Sequence, residues 1–203
     1  MSSSRPAHRP FLVVLSSPSG AGKTSICRAV VRQDLGVAYS VSATTRPRRP
    51  GEANGRDYWF YTERQFRDRL RRGGMVEHAR VYDHWYGTPR ARVEKQFRLG
   101  RDVIADLDIQ GMRSAKAALP DTVGIFITVP DRRELARRLR DRGTDSAEVI
   151  RRREAELESE LAAIPDFDYI VVNDRLERAV SAVLAIIRAE RCRVSRRAEG
   201  KPK

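Results

Sequence analysis

The sequence predicts an α/β fold with three layers, in which a parallel β-sheet is covered by helices on both faces. Its apolar segments are short and rich in β-branched residues, as in buried parallel strands, and lie at 11–15, 103–107, 123–129 and 169–172. Helical patterns separate these segments, as expected for crossover connections. A glycine-rich turn joins the first apolar segment to the first helical pattern, which completes a strand–turn–helix unit.

Composition favours one domain with inserted subdomains. A chain of 203 residues can bury a substantial core. Its formal net charge of +13 is compatible with nucleic acid, an anionic surface or a small polyanionic substrate, and the charge alone does not choose among them. No nucleic-acid-binding motif accompanies the basic segment 191–203, so we expect a solvated, flexible tail there and no specific nucleic-acid partner.

Two cysteines and the absence of long apolar segments indicate the compartment. Cys27 and Cys192 suggest neither a disulfide framework nor a metal-ligand cluster. The first ten residues lack the apolar core of a signal peptide, and no later segment is long enough to span a bilayer. We therefore expect a cytoplasmic protein that does not bind membranes, whose oligomeric state is left open.

The remaining elements follow from periodicity and capping signals. Helices are predicted near 23–34, 62–72, 89–99, 131–142, 146–163 and 176–194, with N-caps at Thr62, Asp131 and Ser146. Antiparallel strands closed by Gly and Asp turns are predicted from the aromatic and apolar residues at 58–61, 75–81 and 85–86. These strands indicate an inserted, mostly β subdomain from about residue 43 to 90.

The turn at 17–24 has the sequence Ser-Pro-Ser-Gly-Ala-Gly-Lys-Thr. It matches the phosphate-binding loop pattern G-x-x-x-x-G-K-[ST] except at its first position, where Ser17 replaces glycine. In such a loop backbone N–H groups and the helix N-terminus bind a triphosphate, and Lys23 reaches its outer phosphates. Thr24 would offer its hydroxyl to Mg²⁺. This predicts a P-loop NTPase type of sheet with a nucleoside triphosphate site at Pro18, Ser19, Gly20, Ala21, Gly22, Lys23, Thr24 and Ser25; the alternative is an ordinary helix-capped turn.

Two aspartates lie at the carboxyl end of the strand predicted at 103–107. Asp106 ends its apolar segment, where a carboxylate faces the phosphate site of an open α/β sheet and can orient Mg²⁺ or its waters. Asp108 is two residues further on, so on an extended strand it shares that face and can meet an acceptor. A turn cap is the alternative for either aspartate.

The segment 42–52 contains three arginines in four positions and two prolines, which exclude a regular helix. Rigidly presented guanidinium groups suit a phosphate dianion, and Tyr58 and Tyr86 could each add a phenolic donor. The alternative is a solvated basic loop. Segments from the phosphate loop to Asn173-Asp174 closely resemble guanylate kinases: 42–52 (SATTRPRRPGE), 55–58 (GRDY), 77–79 (EHA), 86–88 (YGT) and 106–111 (DLDIQG). Ser17 and Trp85 depart from the family pattern.

The resemblance implies roles for residues in the acceptor site. Glu77 would read guanine, because a carboxylate can accept from both N1–H and the 2-amino group, whereas adenine offers no matching pair. By similarity, Ser42, Thr88 and Asp108 complete the guanosine pocket. The GMP phosphate would be held by Arg46, Arg49, Tyr58 and Tyr86. Without the flanking motifs, a surface carboxylate would be the simpler interpretation of Glu77.

On the ATP side, the resemblance places Asn173 in the adenine-side loop. It also assigns a hinged lid at about 138–155, whose arginines would cover the triphosphate and stabilise the transferring phosphoryl group. The lid residues assigned by position are Arg138, Arg142 and Arg153, with Arg140, Arg151 and Arg152 as alternatives in this charged stretch. The predicted domain is 11–190, with a core at 11–42 and 91–190, between tails at 1–10 and 191–203.

The implied activity is Mg²⁺-dependent transfer of the γ-phosphoryl group of ATP to GMP, in purine nucleotide recycling. Two alternatives share the fold: a catalytically silent module that binds a phosphorylated peptide, and a kinase of a sugar phosphate. The intact Gly-Lys-Thr of the phosphate loop argues against the first. The residues expected to recognise guanine argue against the second: Ser42, Glu77, Thr88 and Asp108.

Overall fold

Every side chain of the first strand, β1 (Leu12–Ser16), is buried, as expected for a continuous apolar run inside a parallel sheet. The strand lies at the centre of the computed structural model, which describes residues 8–18, 21–81, 83–131 and 160–197. The other strands of its sheet are β2 (Val37–Tyr39), β7 (Asp102–Asp106), β8 (Val123–Thr128) and β9 (Tyr169–Val172). The strand order is β2-β7-β1-β8-β9, and all neighbouring strands are parallel.

Helices cover both faces of this sheet, so the predicted three-layer α/β fold is confirmed. The described α-helices are α1 (Lys23–Gln33), α2 (Glu63–Arg71), α3 (Arg90–Arg98), α4 (Ile109–Ala118) and α5 (Leu176–Arg191). Helix α4 was not predicted, and the helices predicted at 131–142 and 146–163 lie mostly outside the described residues. Across the described ranges, no helix has both the length and the apolar character needed to cross a membrane.

The alternation of side chains along each strand divides the core into two layers. Val13, Leu15 and Ile104 face one layer, where α1 and α5 contribute Val30 and Val183. The intervening strand residues pack on the other face with α3 and α4, in a cluster that includes Leu12, Val14, Val103, Val93 and Met112. Both faces of the parallel sheet are therefore buried.

A second, smaller sheet lies between α1 and α3 in the chain. Its strands are β3 (Ala43–Thr44), β4 (Trp59–Phe60), β5 (Met75–Val81) and β6 (His84–Pro89), in the order β4-β3-β6-β5. Strands β5 and β6 form the expected antiparallel hairpin. The expectation of antiparallel pairing throughout was wrong, because β3 and β4 are parallel. The loop at 45–58 returns the chain before β4 begins, with Gly51 and Gly55 at positive φ.

Helix α2 begins where the sequence predicted, at an N-cap on Thr62. The Thr62 side chain accepts a hydrogen bond from the Gln65 N–H, and the Gln65 side chain accepts one from the Thr62 N–H, which completes a capping box. Phe66, one residue after Gln65, is fully buried and stacks on Trp85. The capped helix thus closes one face of the small sheet.

The chain ends are only partly solvated, which corrects the prediction of solvated tails: His8, Arg191 and Arg196 pack on the domain, whereas 192–195 and 197 are exposed. Arg196 is only 4% exposed; its Nε donates to Glu190 Oε2 at 3.0 Å, and its guanidinium lies over the Phe11 ring. His8 and Arg191 both contact the fully buried carboxylate of Asp102. Buried carboxylates need charged or hydrogen-bonding partners, and the terminal segments supply them.

Candidate active site

A cavity of about 360 Å³ lies between the carboxyl ends of β2 and β7 and the small sheet. Its walls come from both sheets and from α1, so residues distant in sequence meet there. Among the residues predicted for the site, those that line this cavity are Thr24, Ser42, Tyr58, Glu77, Tyr86, Asp106 and Asp108. Their convergence places the predicted phosphate side and the predicted acceptor side around one space.

The phosphate loop leads directly from β1 into α1. Gly22 has φ +91°, in the left-handed region that favours glycine, and a Cβ there would meet Asn173 Nδ2 at 2.7 Å. The Asn173 amide donates to Ala21 O at 2.7 Å, so the end of β9 braces the loop. Gly22 gives α1 no side-chain cap. The first-turn N–H groups of α1 therefore suit an anionic ligand; Ser19 and Gly20 lie outside the described residues.

Lys23 points back over the loop. Its Nζ donates to Ser17 O at 2.7 Å and to Ser17 Oγ at 2.9 Å. Burial lowers the pKa of Lys23, while nearby carboxylates, including Asp106, oppose that shift. The departure from the family pattern at Ser17 thus adds a hydroxyl partner for the lysine.

The Asp106 carboxylate is held through both of its oxygens. Thr24 Oγ1 donates to Oδ2 at 2.6 Å, and the Tyr39 hydroxyl donates to Oδ1 at 2.5 Å. Burial and the adjacent Asp106 raise the pKa of Tyr39 well above its usual range, so the phenol stays protonated. Tyr39 was not predicted as a site residue, because its partner lies 67 positions away in the sequence.

Hard oxygen atoms at Thr24 and Asp106 fit a magnesium ion. No group of three or more His, Cys, Asp or Glu residues that could hold a metal occurs within the described ranges. Mg²⁺ in phosphoryl-transfer sites needs only one or two protein ligands, since phosphates and water fill its other positions. The pair is therefore a sufficient protein contribution to a nucleotide-bound Mg²⁺.

On the acceptor side, Glu77 is 7% exposed, although it lines the cavity. Its Oε1 accepts from Thr88 Oγ1 at 2.7 Å, and Thr88 is itself fully buried. Burial raises the pKa of Glu77, and the nearby Asp108 raises it further. A Cβ at Gly111 would lie 3.5 Å from Glu77 Oε2, at van der Waals distance, so the first turn of α4 lies directly beside this carboxylate.

Asp108 has two structural roles. It is the N-cap of α4, where its Oδ1 accepts from the Gly111 N–H at 2.6 Å. It also lines the cavity. The turn cap that the sequence left as an alternative is therefore present, together with access to the cavity.

The arginine-rich loop is organised by a carboxylate that sequence analysis did not select. Glu52 accepts from Arg46 Nη2 at 2.6 Å and from the Arg49 N–H at 2.8 Å. The Arg46 guanidinium lies over the Tyr58 ring, whose centroid is 6.0 Å from that of Tyr86. Glu52 raises the pKa of Arg46, which keeps its charge fixed. Arg49 has an exposed side chain.

Some predicted residues lie elsewhere, and some lining residues were missed. Arg138, Arg142 and Arg153 are outside the described residues, so their roles remain predictions, and Ser25 is exposed on the first turn of α1. Further lining residues absent from the prediction are Arg28, Tyr39, Glu52, Arg56 and Asp57. Arg28 had a detectable signal, because it lies one helical turn after Thr24.

A phosphate-binding loop at the carboxyl ends of parallel strands, opposite a pocket with a buried carboxylate and an arginine-rich wall, defines a P-loop nucleotide phosphotransferase. The guanylate kinase family model matches residues 9–190. The chain is 47% identical to the guanylate kinase of Paramagnetospirillum magneticum, over 94% of this chain and 89% of that protein. It is 45% identical to that of Thermotoga maritima, over 91% and 89%. The chain therefore belongs to the guanylate kinase family.

A solved structure supports the same conclusion about the fold. The crystal structure of guanylate kinase from Anaplasma phagocytophilum superposes with a TM-score of 0.74, at 29% sequence identity. The match covers 94% of this chain and 91% of that one. The likeness thus extends over both sheets and is not limited to the phosphate loop.

Proposed function

We propose that this protein catalyses Mg²⁺-dependent transfer of the γ-phosphoryl group of ATP to GMP, giving ADP and GDP. The observation that carries the proposal is the buried Glu77, which accepts a hydrogen bond from Thr88 and lines the same cavity as Thr24 and Asp106. Relatives that match over most of the chain are guanylate kinases. The activity would serve purine nucleotide metabolism, and we place it in the cytoplasm.

Glu77 is the proposed guanine-reading residue. Thr88 donates to Oε1, which keeps a second lone pair, so the two oxygens of the carboxylate can accept from guanine N1–H and the 2-amino group. An adenine base would leave a buried carboxylate without these donors, and such a mismatch carries a large penalty. Ser42 and Asp108 line the same cavity and would complete the guanosine pocket.

The proposed GMP phosphate site consists of Arg46, Arg49, Tyr58 and Tyr86. Glu52 holds the Arg46 guanidinium and the Arg49 backbone in one loop conformation. A guanidinium fixed in this way can bind two phosphate oxygens without first being ordered. Arg49 has an exposed side chain, so its contact would form when the ligand is bound.

On the donor side, the loop at 17–24 would hold the ATP phosphates, and Lys23 would exchange its bonds to Ser17 for bonds to them. Thr24 and Asp106 would hold Mg²⁺, which neutralises phosphate charge when bound. Asn173 would keep the loop in place near the adenine side.

The chemical contribution of the protein is alignment and charge neutralisation. The GMP phosphate is already a competent nucleophile, so no covalent enzyme intermediate is needed. Lys23 and the arginine-rich loop would reduce the repulsion between two anions, and the two walls of the cavity would hold the reacting atoms in line. Keeping water out of the cavity would limit ATP hydrolysis.

The decisive experiment measures ADP formation from Mg-ATP with GMP, AMP, UMP and CMP offered separately. We expect activity with GMP alone, and we expect Lys23→Ala to abolish it in a protein that stays folded. No activity with any acceptor would overturn the proposal. Binding of a phosphorylated peptide would then favour the silent module, and turnover of a sugar phosphate would favour the other kinase.

A further inference from the structure

Tyr39 reaches the active site along the surface of the parallel sheet. In the pairing of β2 with β7, Tyr39 is opposite Ile104. Asp106 lies two residues further along β7, so the side chains of Tyr39, Ile104 and Asp106 share one face of the sheet. Two residues of strand advance about 6.6 Å, and the tyrosine ring spans this gap, which brings its hydroxyl to Asp106.

The two short hydrogen bonds to Asp106 come from opposite sides of the carboxylate. An ionised carboxylate only accepts, so both the Tyr39 hydroxyl and the Thr24 hydroxyl donate to it. Tyr39 contacts Oδ1 at 2.5 Å, whereas Thr24 contacts Oδ2 at 2.6 Å. Rotation of the carboxylate about its Cβ–Cγ bond would weaken both bonds. The pair of donors therefore selects one orientation.

The position of the Tyr39 hydroxyl is itself fixed by packing. The ring is partly buried against the apolar cluster that contains Val30, Val37 and Ile104. Both β2 and β7 belong to the five-stranded sheet, so donor and acceptor have the same rigid frame. Thr24, by contrast, is exposed on the first turn of α1 and is itself a proposed ligand of Mg²⁺.

We propose that Tyr39 is a positioning residue for phosphoryl transfer, whose hydroxyl keeps the Asp106 carboxylate turned with Oδ2 toward Thr24 and the metal–nucleotide. This inference rests on the function proposed above. A ligand oriented in advance does not have to be ordered during binding, so loss of its hydrogen-bonding partner weakens both metal affinity and turnover. The residue acts through Asp106 and makes no contact with GMP in this scheme.

The test compares Tyr39→Phe with Tyr169→Phe. The control removes a similar bond, because the Tyr169 hydroxyl donates to Glu190 Oε1 at 2.6 Å. Neither Tyr169 nor Glu190 lines the cavity. For Tyr39→Phe we expect kcat to fall about tenfold, near the lower end of what a hydrogen bond to a charged group contributes. The KM for GMP should stay within about twofold, since the guanine-reading residues are untouched. Tyr169→Phe should change neither constant.

A second readout does not depend on turnover. We would measure the affinity of the enzyme–ADP complex for Mn²⁺ by electron paramagnetic resonance of the free ion. Tyr39→Phe should weaken this affinity several-fold, whereas Tyr169→Phe should leave it unchanged. Wild-type Mn²⁺ affinity in the Tyr39→Phe protein would overturn the inference, even if the melting temperature had changed.

A double-mutant cycle separates action through Asp106 from a general structural effect. In an Asp106→Ala background, Tyr39→Phe should cause little further loss of kcat, because its partner is already absent. Equal losses in the two backgrounds would contradict the inference. Tyr39→Leu removes the same hydroxyl with different packing. Losses that follow the melting temperatures of the two Tyr39 variants, and not the missing hydroxyl, would also contradict it.

The results also separate this inference from the proposed function. If the wild-type protein phosphorylates no acceptor, the proposed function fails, and the Mn²⁺ affinities still decide the role of Tyr39. If wild-type protein phosphorylates GMP while Tyr39→Phe retains its kcat and Mn²⁺ affinity, only the role of Tyr39 fails.

Discussion

The two sheets support the two halves of the active site on cores of very different size. The five-stranded sheet has apolar clusters on both faces, and it carries Asp106 and, through α1, Lys23 and Thr24. The four-stranded sheet carries Glu77 and Thr88, and among the described residues the buried members of its own cluster are Ala43, Phe66 and Met75. Because stabilisation increases with buried apolar area, the small sheet is the part expected to open first.

The two halves of the site are therefore expected to differ in rigidity. The groups proposed to act on the transferring phosphate belong to a frame with a large core. The groups proposed to choose the acceptor belong to a smaller unit, which has a small buried cluster of its own and packs through Val76 on the cluster that contains Val93 and Met112. Such a division suits an enzyme that must admit two substrates and then close on both.

The largest expected effect comes from two Phe→Ala substitutions that test whether the two sheets open separately. Phe66 on α2 packs on the small sheet and Phe126 lies in β8; both are fully buried, and each Phe→Ala change should cost about 3–5 kcal/mol. We expect Phe66→Ala to accelerate hydrogen exchange in β5 and β6 while β1, β7 and β8 keep their protection. Phe126→Ala should reduce protection in both sheets. Uniform loss of protection in both variants would show that the sheets unfold as one unit.

Lys23→Met tests the donor side alone. The substitution removes the ammonium and keeps an unbranched side chain, so kcat should fall about 10³-fold, as for loss of one preorganised electrostatic donor. Affinity for GMP, measured by calorimetry, should stay within about twofold. Lys116→Met is the matched control, because Lys116 pairs with Asp168 outside the cavity. A large loss of GMP affinity in Lys23→Met would mean that the two halves are not separable.

Glu77→Gln tests the acceptor side. A glutamine presents one acceptor and one donor where the carboxylate presents two acceptors, so guanine loses a hydrogen bond and gains an unfavourable donor–donor contact. We expect the ratio of kcat/KM for GMP over AMP to fall about 100-fold, in line with a mispaired buried polar group. The KM for ATP should not change. Glu63→Gln on α2 is the control, and full retention of GMP selectivity would refute the role of Glu77.

The sequence predicted the main frame well because its signals are local. The β-branched runs, the strand and helix that flank the phosphate loop, and the Thr62 N-cap each depend on a few consecutive residues, and all are found as expected. Helix α4 was missed because it has Gly111 in its first turn, which weakens a helical pattern. The parallel pairing of β3 and β4 depends on the path of the connecting loop, which periodicity does not encode.

The site shows the same limit. Asp106 and Thr24 were predicted from positions within local motifs. Tyr39 was missed because only the register of β2 against β7 brings it to Asp106. Arg196 was predicted to be solvated because charge runs at chain ends usually are, and the buried Glu190 that binds it has no sequence signal.

The smallest expected effect concerns the cost of keeping Glu77 in its pocket. Burial raises the pKa of Glu77 in the folded protein, so the folded state binds this proton more tightly than the unfolded chain does. The favourable contribution of protonated Glu77 to the free energy of unfolding is fully present below the usual glutamate pKa. It is lost as the pH rises through the raised pKa of the folded protein. At pH 8 the ionised carboxylate therefore costs stability, which Glu77→Gln removes while keeping an oxygen for Thr88.

We expect Glu77→Gln to melt about 2 °C or less above the wild type at pH 8, a shift that corresponds to less than about 1 kcal/mol in a chain of this size. The difference should shrink as the pH approaches 4, since Glu77 is then neutral in both states. Glu63→Gln, at an exposed position, should show no such pH-dependent gain. A lower melting temperature for Glu77→Gln at pH 8 would mean that the carboxylate stabilises the small sheet, and that guanine recognition does not compete with folding at this residue.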